Sequence, residues 1–353
     1  MKVRLAYRPP YDWAQVIGFL AARATPGVEL VKDNRYQRTI AFNGTTGTIA
    51  IGPAESGSAL MLDVQLGDPR APLAIVERVR RMFDLDADPS LIAERLSSDP
   101  PLRRPAAAHP GIRTPGAWDP FELAVRAILG QQISVKAATT IAGRVANRWG
   151  SAIGSAECRV RSAEPGVRSA EPGVQSAECG SAELELNRLF PTPNQLADAP
   201  LEEVGIIRTR ATTLRTLAHA VRDGLVVFDG VSTFDALRAI PGIGDWTAQY
   251  IAMRGLNDRD AFPSGDLILR RMAGDCTARE LERRSERWRP WRAYAVMLLW
   301  QAAKNRDEQT RRAPNAQTVP PHHNHPGCGR GSDRPERAAG ARRQPGCRRV
   351  GAR

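Results

Sequence analysis

Apolar and polar positions alternate over short runs near the start of the chain. Lys2 to Tyr7, Thr39 to Ile51 and Ala59 to Leu66 have this strand-like pattern, separated by turn-forming Gly, Asn and Ser. Two stretches have helical spacing instead. Tyr11 to Ala24 places Trp13, Val16, Phe19 and Leu20 on one face after a Pro-Pro start, and Ala71 to Phe83 forms the second. Together they predict an α+β N-terminal domain over 1–112, ending in a Pro/Ala/Arg-rich linker at Pro100 to Pro115.

Beyond that point the strand signal vanishes. Asp119-Pro120-Phe121-Glu122 combines a carboxylate cap, a proline at the first helical position and an acid three residues after the cap, so a helix should run to Leu129. Gly130-Gln131-Gln132 interrupts the pattern and Ser134 to Trp149 resumes it. Helical patterns return from Asn194 to Met272, followed by a capping box at Thr277 and Glu280. Trp288-Arg289-Pro290-Trp291 then leads into an apolar helix ending at Trp300. The region 113–303 is therefore expected to be all-α.

Two segments break this picture. Within 151–186, Ser-Ala-Glu recurs at 155, 162, 169 and 176, and Pro165 and Pro172 exclude a continuous helix, which predicts a disordered insertion. The segment 304–353 has no Phe, Trp or Tyr and is rich in Arg, Pro, Gly and Ala, which predicts a disordered basic tail. It contains His322, His323, His325 and Cys328, but their unstructured flanks argue against a metal site.

The chain has 353 residues, 42% hydrophobic and 25% charged, with a net charge of +12. Its length suits two or three domains, and its charge suits a polyanionic partner. Twelve basic and four acidic residues fall in the tail, so the folded part is only mildly basic. The longest uncharged apolar stretch near the C-terminus, Ala293 to Ala303, is 11 residues and too short to span a bilayer. With no signal-peptide pattern either, a cytoplasmic, nucleoid-associated protein is expected. Five cysteines without a CxxC pair indicate neither a disulfide framework nor an iron-sulfur cluster.

The densest chemical signal is Leu237 to Tyr250, LRAIPGIGDWTAQY. A helix from Ser232 reaches Ile240, Pro241-Gly242-Ile243-Gly244 turns sharply, and a second helix runs from Asp245 to Met253. Glycines in such a turn bare the amides at the second helix's N-terminus, where phosphate binds without side-chain charge. Downstream, Phe262-Pro263-Ser264-Gly265 leads to Asp266 and an apolar helix start.

This string resembles the helix-hairpin-helix DNA glycosylase superfamily, and within it the bacterial 3-methyladenine DNA glycosylase II group. Further likeness lies in Pro9-Pro10-Tyr11-Asp12-Trp13, in Gly18 to Arg23, in Arg126-Ala127-Ile128-Leu129-Gly130-Gln131 and in Trp288 to Ala295; about 260 residues fall under it. The resemblance implies that Asp266 is the catalytic aspartate and that Trp246, Tyr250 and Trp300 form the base pocket. It further implies that Pro241, Gly242, Ile243, Gly244 and Thr247 bind the DNA backbone, and that Gln131 and Gln132 plug the gap left by a flipped base.

A base methylated at a ring nitrogen is cationic and attracted to aromatic faces. The implied reaction is hydrolytic release of alkylated purines, of the 3-methyladenine and 7-methylguanine class, from double-stranded DNA by a monomer. No resident cofactor or metal is implied, beyond a monovalent cation at hairpin carbonyls. Two rival readings remain. A bifunctional glycosylase/lyase would need a lysine nucleophile where this chain has Trp246. A non-catalytic DNA-binding module would use the hairpin alone.

Overall fold

The computed structural model describes residues 1–67, 72–153, 185–230 and 232–312. The Ser-Ala-Glu repeats, and the tail from 313 with its histidines, lie outside the described residues. Residues 1–310 cluster as one compact unit.

Five antiparallel strands open the chain: β1 (Lys2–Ala6), β2 (Glu29–Lys32), β3 (Arg35–Phe42), β4 (Thr45–Pro53) and β5 (Ala59–Leu66), in the spatial order β1-β5-β4-β3-β2. Two tight hairpins set the register. Asn43 and Gly44 (φ 48° and 76°) join β3 to β4, so Phe42 pairs Thr45; Asp33 and Asn34 (φ 52° and 56°) join β2 to β3. Paired positive φ values match the right-handed strand twist. The stretch Thr39 to Ile51 thus holds the end of one strand, a turn and most of another, and β2 was not foreseen.

Tyr36, Ile51 and Leu62 are register neighbours on the sheet's buried face. They pack with Val16 and Leu20 of α1 (Trp13–Ala21) and Ile75 and Val79 of α2 (Pro72–Met82).

The expected linker is not one. Pro100–Ala108 is a helix, α4, preceded by α3 (Pro89–Ser97), and Leu102, Ala106 and Ile112 are buried. Arg113 is fully buried, its guanidinium donating to the carbonyls of Arg8, Pro10, Gly111 and Ile112. Proline is tolerated in the first turn of a helix, and the apolar residues between the arginines find a core to fill. Composition alone suggested a linker; long-range burial overrides it.

The remaining helices are α5 (Pro120–Leu129), α6 (Val135–Trp149), α7 (Pro193–Ala197), α8 (Arg208–Arg222), α9 (Thr233–Arg238), α10 (Asp245–Gly255), α11 (Leu267–Met272), α12 (Ala278–Ser285) and α13 (Arg292–Arg312). Asp119 caps α5 through the Glu122 amide, and Thr277 and Glu280 form the expected capping box. α13 continues twelve residues past Trp300, so the tail's expected start at 304 is helical.

α10 joins two apolar cores. Its Ala248 and Ile251 pack with α5 and α8, whereas Ala252 and Met253 pack with α4, Phe262 and α13. A buried ionic cluster fastens the sheet to α5: Arg38 contacts Glu122 at 2.7 Å, and Arg126 contacts Glu29 at 2.7 Å and Glu122 at 3.0 Å.

Candidate active site

The hairpin between α9 and α10 is shaped by backbone constraints. Gly242 has φ +94°, and a Cβ there would lie 2.2 Å from Thr213 Oγ1, so only glycine fits. That hydroxyl donates to the Pro241 carbonyl at 2.9 Å, holding the turn against α8. Gly244, by contrast, has open space where a side chain would stand, and no side chain caps α10. Its leading amides thus keep the capacity to bind an outside anion. Asp245 adds an exposed carboxylate to the same turn.

The five hairpin positions therefore divide. Pro241, Gly242 and Gly244 are exposed, whereas Ile243 and Thr247 are buried, at 5% and 3%. Ile243 sits in the core with Leu214 and Leu217, and the Thr247 hydroxyl accepts from Gln131 Nε2 at 3.1 Å.

Asp266 caps α11, its Oδ1 accepting from the Leu269 amide at 2.9 Å. Two indoles converge on the same carboxylate. Trp246 Nε1 donates to Oδ2 at 3.0 Å and Trp300 Nε1 to Oδ1 at 3.3 Å. α10 supplies one indole and α13 the other, which places both beside the start of α11. Indole N–H groups only donate, so this shell offers both oxygens positive dipole ends.

Tyr250 follows Trp246 by one helical turn and stacks on it, centroids 5.3 Å apart and planes 7° from parallel. Trp300 leans on Tyr250 at 6.3 Å and 48°. All three rings and Asp266 are half-buried. They form an aromatic notch with a carboxylate at its edge.

Behind the notch the charges are positive. Arg254 Nη1 donates to the Tyr250 hydroxyl at 2.8 Å. Burial pushes the phenol up, but Arg254, Arg23 and Arg126 outweigh it and bring its pKa down to about 8. Arg23 and Arg126 lie in stretches that carry the family resemblance, but no motif pointed to Arg254 or to their meeting at Tyr250, because the pocket's rear wall is assembled from three separate segments.

The two glutamines at the α5–α6 junction have different settings. Gln131 Nε2 also donates to the Gly242 carbonyl at 3.0 Å, and the Gln131 carbonyl accepts from Arg210 Nη2 at 2.6 Å, so this residue ties the junction to the hairpin. Gln132 is exposed with φ +59°, a left-handed conformation uncommon outside glycine. Of the pair, Gln132 is the projecting side chain.

Among the described residues no group of three or more His, Cys, Asp or Glu could hold a metal ion. No described helix is long and apolar enough to cross a membrane.

Comparisons with known proteins agree with this geometry. Residues 2–119 match the family model for the AlkA N-terminal domain, and residues 125–290 match that for the HhH-GPD superfamily base excision DNA repair protein. DNA-3-methyladenine glycosylase 2 of Escherichia coli is 32% identical over 303 residues, covering 84% of this chain and 95% of that protein. A Mycobacterium tuberculosis protein named "Probable bifunctional transcriptional activator/DNA repair enzyme AlkA" is 36% identical over 308 residues, 85% of this chain; the chain spans 56% of that relative's length. Among solved structures, the 3-methyladenine DNA-glycosylase of Archaeoglobus fulgidus shares the fold, with a TM-score of 0.67 at 19% identity over 86% of this chain and 98% of that one. With both family models in chain order and the E. coli protein matched nearly end to end, the chain belongs to the AlkA-type family of HhH-GPD base excision DNA repair proteins.

Proposed function

We propose that this protein is a monofunctional DNA glycosylase that extrudes alkylated purines of the 3-methyladenine and 7-methylguanine class from duplex DNA and hydrolyses their N-glycosidic bond. The observation that carries this reading is the Asp266 carboxylate held at the rim of the Trp246–Tyr250–Trp300 notch by two indole N–H groups and a backbone amide. The likeness to the E. coli protein, a DNA-3-methyladenine glycosylase, supports it.

A target base buried in the stack must leave the helix, at a cost of a few kcal/mol that is least for damaged, weakly paired bases. Gly242 and Gly244 let a phosphate approach the start of α10, while Ile243 and Thr247 anchor the turn from inside. Gln132 enters the vacated position and can hydrogen-bond the orphaned partner base.

Methylation at a ring nitrogen makes the purine cationic, and stacking on aromatic faces favours it by about 0.5 to 2 kcal/mol per contact. The C1′–N bond breaks with its electron pair going to the base, which neutralises that charge and asks little of a general acid. Positive charge moves to the deoxyribose. Asp266, fixed in place before reaction, stabilises the sugar cation and positions the water whose oxygen bonds C1′ as one of its protons passes to the carboxylate and on to solvent.

Trp246 stands where a lyase places its amine, so no Schiff base forms at that position. The protein works without a resident metal as a monomer in the cytoplasm, associated with the nucleoid. A monovalent cation held by hairpin carbonyls would add charge beneath a bound phosphate. The Pro241 and Gly242 carbonyls already accept from Thr213 and Gln131, which limits the oxygens left for it.

The test is Asp266→Asn. Asparagine caps helices as well as aspartate, so folding should hold. Release of 3-methyladenine from methylated duplex DNA should fall by at least about a hundredfold, the scale of losing one preorganised electrostatic contact, with duplex binding retained. Release at the parental rate would refute the assignment.

A further inference from the structure

The positive wall behind the notch is at odds with the guest proposed for it. Arg254 is 3% exposed, and its guanidinium donates to the carbonyls of Pro115 and Gly116 as well as to the Tyr250 hydroxyl. Arg23 lies over the Phe19 ring at 3.8 Å, and Arg254 lies over the same ring at 4.7 Å, so the two cations share one aromatic ring. Among the described residues, neither guanidinium has a carboxylate within salt-bridge distance, unlike Arg126, which is paired with Glu29 and Glu122. The one ionisable oxygen between this wall and the stacked rings is the Tyr250 phenol. A cationic purine entering the notch would meet two uncompensated cations unless that oxygen carried negative charge.

We propose that Arg254 and Arg23 are positioning residues that act through the Tyr250 phenol oxygen, and that this oxygen sets how strongly the notch prefers a positively charged purine over a neutral one. The inference rests on the reading of the notch as the base pocket. When the phenol is ionised, its charge offsets one guanidinium and enriches the ring on which the base stacks. When it is protonated, the cationic guest loses that advantage, whereas a neutral purine is little affected.

The groups facing Tyr250 come from every element packed around it. Arg254 comes from α10, Arg23 from the segment after α1, and Arg126 from α5 with its partners Glu29 and Glu122. Asp266 sits across the stack and is bonded to both Trp246 and Trp300. Burial raises the phenol's pKa and the arginines lower it further, leaving the switch at about 8. Burial likewise pulls Arg23 below the ordinary guanidinium value, with Tyr250 pushing back.

The experiment compares single-turnover release of 3-methyladenine, which is cationic while bonded to the sugar, with release of ethenoadenine, which stays neutral across the range, from otherwise identical duplexes between pH ~7 and ~9. Spontaneous base loss is subtracted at each pH. The parental ratio should climb roughly tenfold through pH 8, the effect of one partly screened charge. Tyr250→Phe should flatten it. Arg23→Gln, at a half-exposed position, should move the midpoint upward even if Arg254→Gln fails to fold.

A second readout needs no DNA. The chain has five tyrosines, and burial pushes Tyr11, Tyr36 and Tyr294 up. Ultraviolet phenolate absorbance should therefore show a step near pH 8 that is lost in Tyr250→Phe. A ratio flat across this range, or a Tyr250 step at the ordinary phenol value, overturns the proposal. Asp266→Asn is the separate control: if it abolishes both releases, a flat ratio counts against the phenol alone, and if it abolishes neither, the pocket reading fails and this inference with it.

Discussion

Trp246 Nε1 donates to Asp266 Oδ2 at 3.0 Å across twenty residues of sequence, so a wall of the aromatic notch also aims the carboxylate at its rim. Trp300 does the same to the other oxygen at 3.3 Å. In the proposed reaction, base recognition and sugar stabilisation therefore share their supports. Trp246→Phe keeps a stacking ring on Tyr250 and removes one charge-assisted hydrogen bond worth about 1.5 to 3 kcal/mol. Single-turnover release of 3-methyladenine should slow by at least roughly tenfold while duplex affinity is held; an unchanged rate would show that the bond does not orient Asp266.

The two junction glutamines should separate in experiment. Gln131→Ala loses bonds to Gly242 and Thr247, each worth about 1 kcal/mol, and should lower Tm by roughly 2 to 4 °C per kcal/mol lost. Gln132→Ala should leave Tm unchanged and reduce extrusion, read by a fluorescent base analogue placed opposite or beside the lesion. The opposite pattern would reverse their roles.

Asp245 places a carboxylate on the turn assigned to phosphate binding. Removing that charge in Asp245→Asn should tighten binding to undamaged duplex several-fold at low salt, an advantage that fades as salt screens the contact. Affinity that is equal in both proteins at low salt would place the DNA backbone elsewhere.

Asp84 is buried and its pKa is pushed up to about 6, chiefly by desolvation, against the hydrogen bonds from Tyr294 and Thr114 and the charge of Arg113. An acid whose folded pKa exceeds its unfolded value contributes stability below the unfolded value and loses it as pH rises through the folded one. About two units corresponds to roughly 3 kcal/mol. Asp84→Asn accepts the same two hydrogen bonds and suits φ +50°. Its Tm relative to the parent should rise from pH ~4 to ~7 and level off above; a constant difference would mean that Asp84 does not titrate in that window.

The α5 cap at Asp119, the Thr277–Glu280 box and the hairpin glycines were legible because each depends on residues within one turn of chain. Pro100 to Pro115 was misread for the opposite reason. Proline and arginine speak for a linker locally, but Leu102, Ala106 and Ile112 are buried in a core shared with Ile92 and Leu96 of α3 and with residues of α10 and α13 far along the chain. The contact between the Thr247 hydroxyl and Gln131, residues 116 positions apart, is likewise invisible to local pattern.

By itself the sequence determined a strand-bearing start followed by helices, the glycine-shaped turn and the carboxylate at a helix start, since local backbone preferences and side-chain period dictate these. Only the tertiary structure decided that two indoles bind Asp266, that Gln131 is tied down while Gln132 projects, and that Arg254 and Arg23, which have no carboxylate partner among the described residues, back Tyr250. Such relationships come from packing α5, α10, α11 and α13 against one another and against the segment after α1. Distances between residues far apart in sequence are fixed by how surfaces fill a shared core, and no local pattern encodes them.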